Sequence, residues 1–493
     1  MIFEFLSQSL KARTVAVVTS MPWGGGGLGR LAGFRDGLFR CLTARADALM
    51  DLCDAVLCAD GPVRSLAELS LVPEFRRGHG SLYDALAAGG VDEGRLRDLL
   101  VGSLPAGLPL LFAVDLTTWE RPAAHCSPGR VHGHAPCRCQ GTGKSVPGWV
   151  YSRVTGVEWG TSSWVYPLDA ARVGCGDDQV SVAAGQVGGL VARLEAAGRC
   201  GLPGLPVPVA VFDGGYAPAA VTWALRDVRA QVLVRLRDAG RRVFRAAPPP
   251  RAPGAGGAPR LHGPRRRLAE WQGWPPPDQE EARETSRYGR VTVRAWHGLH
   301  QEVQARGYFA SRPLPAGTVI EGTVIQVQAE RLPGGRVPDG PMWLWHAAPD
   351  GVACDLDLLW RGYLRRFDAE HGFRFDKGTL GWTSARPRTP QQADLWTWLI
   401  IAAYAQLQLA RKLAPDLRRP WERPPRPGKD PSPLRVRRGF RHVRARLGTP
   451  ARVPKPSRPG PGRPTGSTTG PAKRYPVEKK NDQATSGKER PSP

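Results

Sequence analysis

Residues 363–377 read YLRRFDAEHGFRFDK. The stretch sets a tyrosine, two adjacent arginines, a glutamate and a lysine in one helix-like segment, and a carboxylate among bases beside an aromatic ring suits the gripping of a phosphodiester. Tyr363, Arg366 and Glu370 stand at i, i+3 and i+7, so on a helix they share a face, and Lys377 follows seven residues, about two turns, later. Taken alone, such a charge run describes a solvated helix face. The rest of the chain says whether it is more.

A chain of 493 residues with 41% hydrophobic content has room for two or three domains and a sizeable core. Its net charge of +25 and pI near 10.4 point to a polyanionic partner, because each Lys or Arg set on a phosphate releases a condensed counterion. Residues 421–493 hold 19 Lys and Arg against 5 Asp and Glu, a net of +14, so the remainder is only moderately basic at +11. Nine cysteines, unevenly spaced, do not make a disulfide scaffold, and nothing at the N-terminus reads as a signal peptide. A cytoplasmic, nucleoid-associated protein is expected. The longest apolar run, residues 396–404, is about half of what a bilayer span needs and is followed by Gln406 and Gln408. It reads as a buried core helix, and no membrane partner is expected. The bias toward Ala, Gly, Arg and Pro suggests a high-GC bacterial genome.

Residues 1–105 show apolar positions at helical spacing and read as a separate helical domain. From residue 107 the pattern changes. GLPLLFAVDLTTW contains a short strand ending at Asp115, two strands rich in Val, Tyr and Trp follow, then a helix over 179–197, a strand ending at Asp213 in VPVAVFDGGY, another helix, and the strand AQVLVRLR. That order predicts an α/β fold: an RNase H-like mixed sheet flanked by helices, with acidic residues at strand ends. The first part of this core spans 106–240. Residues 241–350 form a β-rich insertion before the last acidic residue, opening with a Pro, Gly and Arg-rich loop over 241–287. The C-terminal core helices occupy 351–418, and 419–493 reads as a disordered basic tail.

Asp115, Asp213 and Glu370 sit where this sheet order brings residues together. Three carboxylates in one place repel, so they imply a cation: two Mg²⁺, with Mn²⁺ able to substitute, would polarise a scissile phosphate and activate a water or a 3′-hydroxyl.

The spacing of Tyr363, Arg366, Glu370 and Lys377 resembles the signature of DDE transposases of the insertion-sequence-four type. Asp213 in VFDGGY is similar to that family's second-aspartate motif, and Asp115 in FAVDLTTW looks like its first. The layout, with an N-terminal helical region and a β insertion before the glutamate, most resembles the seven-hundred-and-one-like group from actinobacteria. All four signature positions are filled. The resemblance implies metal ligation by Asp115, Asp213 and Glu370, and phosphate contacts from Tyr363, Arg366 and Lys377. Family members often flip a base and stack it on tryptophan, which points to Trp343 and Trp345 of PMWLWH. The implied activity is metal-dependent cleavage at terminal inverted repeats and strand transfer into target DNA. The implied partner is double-stranded DNA, held by a homodimer in the synaptic complex, with the N-terminal region recognising DNA ends.

Other signals carry less. GTGKS at 141–145 resembles the end of a phosphate-binding loop, but Arg138 stands where that loop needs glycine and Pro147 opposes the helix. Gly24, Gly26 and Gly29 satisfy a dinucleotide pattern without a clear βαβ unit behind it. His125, Cys126, His132, His134, Cys137 and Cys139 are metal-capable but crowd one loop instead of forming two separated knuckles. PGRPTGS at 461–467 resembles a minor-groove hook, with Pro461 in place of the usual arginine, and reads better as an electrostatic tether. Two rival readings remain: a catalytically inactive or domesticated DNA-binding protein of the same fold, and a structural-zinc protein built on the His and Cys loop.

Overall fold

The structure is a computed structural model that describes residues 26–135, 144–160, 162–237, 240, 242–248, 260–305, 307–424, 428–456, 462, 464–468 and 470–479. Its centre is a mixed sheet. Leu111–Glu120 (β3 in chain order), Val131–Ala135 (β4), Lys144–Val157 (β5), Val165–Val173 (β6), Val209–Phe212 (β7) and Gln231–Leu236 (β8) follow two short strands, Leu42–Ala44 (β1) and Gly90–Val91 (β2), which pair only with each other. β3 runs antiparallel to β5, and β5 to β6. β3 and β8 both run parallel to β7. The resulting order, β6-β5-β3-β7-β8, is compatible with an RNase H-like fold. The apolar run VAVF makes β7 the centre, since a strand flanked by parallel neighbours and covered on both faces needs apolar side chains throughout.

The insertion is an extension of this sheet. Met342–Ala347 (β14) pairs antiparallel with β8, aligning Trp343 with Leu236. Beyond it lie Glu321–Ala329 (β13), Gly289–His300 (β12), Val243–Arg245 (β9) and Arg265–Arg267 (β10), with Gln279–Thr285 (β11) hairpinned onto β12, which completes twelve strands. The loop expected over 241–287 is therefore partly ordered into β9, β10, a 3₁₀ turn at Leu268–Gly273 and β11. Tertiary pairing overrides the local Pro and Gly signal there.

Gly27–Cys41 (α1), Ala46–Cys58 (α2), Leu66–Leu69 (α3), His79–Ala88 (α4) and Glu93–Ser103 (α5) make up the helical region before β3. Numbering continues with Gln179–Ala196 (α6), Pro218–Ala224 (α7), Leu356–Arg365 (α8), Phe367–Gly378 (α9), Pro390–Leu409 (α10) and Pro433–Leu447 (α11). Helix α10 is buried along most of its length, as its apolar run requires, and α1, α2, α4 and α5 pack round it. No helix among the described residues is long and apolar enough to cross a membrane.

Helix α11 corrects the expectation of a disordered tail. Val436, Phe440 and Val443 bury one face against α2, while Arg437 donates to the Val56 carbonyl at 2.9 Å and Arg444 pairs with Asp54 at 3.2 Å. Arg35 on α1 ties α2 to α10, donating to Asp54 Oδ1 and to Gln406 Oε1, each at 2.7 Å. The arginines that read as a disordered tail thus meet Asp54 of α2, Glu74 and backbone carbonyls, and the apolar spacing of i, i+4, i+7 supplies the packing face. Residues further on also dock, with Arg130 donating to the Tyr475 carbonyl at 2.8 Å.

Candidate active site

Register places the two aspartates. Val114 lies opposite Phe212 in the parallel pair of β3 and β7, so Asp115 and Asp213 come next, side by side. β3 does not end at Asp115 but continues to Glu120; its partner β7 ends at Phe212, and the sheet opens there. A strand end beside a diverging neighbour is where such sheets expose polar groups.

Asp115 is gripped on both oxygens. Oδ1 accepts the backbone N–H of Leu116 at 2.9 Å, and Oδ2 accepts Nη1 of the buried Arg366 at 2.7 Å. Burial pushes the Asp115 carboxyl up to about 6, and the negative charges of Asp213 and Glu370 push the same way while Arg366 opposes them. Asp213 accepts Nη2 of Arg237 on Oδ2 at 2.6 Å and the Gly215 backbone N–H on Oδ1. Glu370, half exposed on α9, stands 3.7 Å from Nη2 of Arg366. One guanidinium therefore bridges the first and third carboxylates.

The segment 363–377 is two helices, not one. Arg366 joins α8 to α9, so Tyr363 sits on the first and Glu370 and Lys377 on the second. The ring of Tyr363 is 4% exposed and faces the guanidiniums of Arg366 at 5.9 Å and Arg235 at 6.0 Å. It supports these cations; it does not present itself to a ligand. Lys377 donates to Thr117 Oγ1 at 2.7 Å and to the Thr118 carbonyl at 3.3 Å, anchoring α9 on β3. Burial lowers its pKa.

Trp343 and Trp345 do not fit the stacking role. They are 2% and 1% exposed. Trp345 stacks on Phe244 and donates to Thr222 Oγ1 at 3.0 Å, and Trp343 packs against Trp274 and Trp296. Alternation along β14 points both tryptophans inward, so their faces belong to the core.

The donor set suits a divalent ion in kind, being all carboxylate oxygen, the choice of a hard cation. Burial, with Asp213 and Glu370 adding to it, raises the Asp115 carboxyl, and a cation bound there would favour its charged form. As the side chains stand, no three His, Cys, Asp or Glu among the described residues are grouped to hold a metal, and Arg366 and Arg237 supply positive charge in its place. The same holds for His125, Cys126, His132 and His134; Cys137 and Cys139 lie outside the described residues, as do GTG of the 141–145 motif and Gly24. Pro461 and Arg463 of the hook-like segment also lie outside them.

Residues 37–302 match the family model described as DDE superfamily endonuclease. The chain belongs to this family. Asp115 and Asp213 fall inside the matched span of this DDE endonuclease, and Glu370 lies beyond it. Members of the superfamily generally use divalent metals, in keeping with the carboxylate donors. No curated protein is significantly similar to this DDE endonuclease in sequence. Two of its site residues were not singled out from the sequence: Arg237, which holds Asp213, and Arg235, which lies against Tyr363. Their alternation in VLVRLR, at the end of the strand after the second aspartate and just beyond it, is the signal that marks them.

Proposed function

We propose that this DDE endonuclease is a transposase of the insertion-sequence-four superfamily, of the seven-hundred-and-one-like group, that cuts DNA at terminal inverted repeats and joins the freed end to target DNA. The observation that carries this reading is the β3–β7 register, which sets Asp115 beside Asp213, with Glu370 linked to them through Arg366. Asp115, Asp213 and Glu370 would hold Mg²⁺, or Mn²⁺ in its place, and the metal when bound supplies Lewis-acid polarisation of the phosphate. Arg366 and Arg237 are set to exchange a carboxylate for a DNA phosphate, a partner that a guanidinium binds with two parallel hydrogen bonds. Lys377 fixes α9 to β3 and so fixes the distance from Glu370 to the aspartates. A homodimer would hold two ends in the synaptic complex, and the helical region would read the repeats.

The test is cleavage of a labelled duplex carrying the element's own terminal repeat. With Mg²⁺ or Mn²⁺ the wild type should cut at the repeat boundary. Asp213→Ala and Glu370→Gln should still bind and should cut at least about a thousandfold more slowly, about 4 kcal/mol of barrier. A wild type that binds and never cuts with either metal would remove the reading. One observation favours a second reading, an inactive DNA-binding protein of the same fold: Asp115 and Asp213 each already hold a guanidinium. The same assay separates the two.

A further inference from the structure

A cleft of about 770 Å³ opens immediately beyond Asp213. One wall is the loop after β7, beginning with Gly214 and Gly215; the other is the ribbon of β9 and β10 with the chain that follows β12. Among the described residues, Arg242, Arg245 and Arg265 line it together with one carboxylate, Glu302. The antiparallel register sets Arg245 directly opposite Arg265. Like charges in that position destabilise a ribbon, so the arrangement calls for an anion between them. Glu302 meets part of that need, pairing with Arg245 Nε at 2.6 Å, and is lowered in pKa first by that hydrogen bond, with Arg265 adding to the effect. One carboxylate shared by two guanidiniums leaves positive charge over.

Gly214 and Gly215 stand where the chain itself is crowded. A Cβ on Gly214 would come within 2.4 Å of the Arg237 side chain, and one on Gly215 within 2.9 Å of Asp213 Oδ1. Glycine at both positions leaves room for the Arg237 and Asp213 side chains to pair at the edge of the cleft. The cleft is also coupled to the catalytic rim: Arg242 Nε donates to the Arg237 carbonyl at 2.7 Å, and Arg237 holds Asp213. Both aromatic rings in the lining, Tyr216 and Phe309, are buried, so no platform for a base is offered.

We infer that this cleft holds the sugar–phosphate backbone of the DNA strand adjoining the scissile phosphate, on the flanking side of the cut, without reading its bases. The inference rests on the DNA-cleaving function proposed above. Arg242, Arg245 and Arg265 grip phosphates, and the open cleft beside Gly214 and Gly215 admits the strand.

The experiment uses the full chain in Ca²⁺ buffer and two labelled duplexes. One carries the element's terminal repeat with a helical turn of flanking DNA; the other ends flush at the cleavage position. Fluorescence anisotropy is read across a salt series. Arg265→Ala should weaken binding of the flanked duplex severalfold and reduce its salt slope by about one, leaving the flush duplex unchanged. Glu302→Gln should tighten the flanked duplex alone. Both variants should melt with the wild type. Equal effects on the two duplexes, or none on the flanked one, overturn the inference while the transposase reading stands. A wild type that binds neither duplex overturns both.

Discussion

At the scale of a single residue, Arg366 decides the resting state of the site. Its guanidinium is buried, bonded to Asp115 and within ion-pair reach of Glu370. Removing one member of a buried pair leaves an uncompensated charge, so Arg366→Met should cost about 3 kcal/mol of stability near neutral pH. The same change opens the ground between two carboxylates. Added Mn²⁺ should therefore raise the melting temperature of Arg366→Met by more than it raises that of the wild type, in the absence of DNA. Scanning fluorimetry with and without Mn²⁺ checks this, and equal shifts would show that Arg366 does not compete with a cation. Tyr363 illustrates the limit of spacing as evidence. Its place relative to Arg366 is visible in the sequence, but its burial beneath two guanidiniums follows from the packing of α8 against the insertion, which no local pattern encodes.

At the scale of elements, the placement of α9 depends on a buried ion pair. Arg153 on β5 donates to Asp376 Oδ2 at 2.7 Å, both side chains are 1% exposed, and the guanidinium lies 4.9 Å from the Trp382 ring. Arg153→Met should cost about 3–5 kcal/mol in urea unfolding, and adding Asp376→Leu should restore most of that loss, since a neutral apolar pair avoids the desolvation of both charges. The junction of insertion and core has its own signature. His346 on β14 is bonded to Gln231 on β8 at 3.0 Å, and burial, with His297 adding to it, pushes the imidazole down to about 4. The unfolded chain binds this proton near the ordinary value of about 6.5 and the folded chain does not. Stability is then fully present above pH 6.5 and falls as the pH drops toward 4, by on the order of 3 kcal/mol. His346→Gln, which can keep the contact with Gln231, should flatten the melting temperature over that window relative to the wild type.

At the scale of the whole molecule, the two ends of the chain close one helical layer. Ending the chain at Pro431 would remove α11, expose the apolar side of α2, and leave Asp54 with one arginine fewer. The truncated protein should melt well below the full chain and bind a hydrophobic dye, as a thermal melt read with and without the dye would show. By itself the sequence determined the order of the main core strands and helices from β3 to β8, because period-2 and helical spacing survive any packing, and it nominated Asp115, Asp213 and Glu370, whose motifs are local. It also marked α10 as a core helix through an unbroken apolar run. Only the tertiary structure decided the rest. Pairing of β14 with β8 fused the insertion into the central sheet, a bond between segments more than a hundred residues apart. Burial turned Trp343 and Trp345 from candidate platforms into core. The arginines of α11 look like a basic tail in sequence because charge is written residue by residue, while the carboxylates that neutralise them, Asp54 and Glu74, lie at the opposite end of the chain and meet them only on folding.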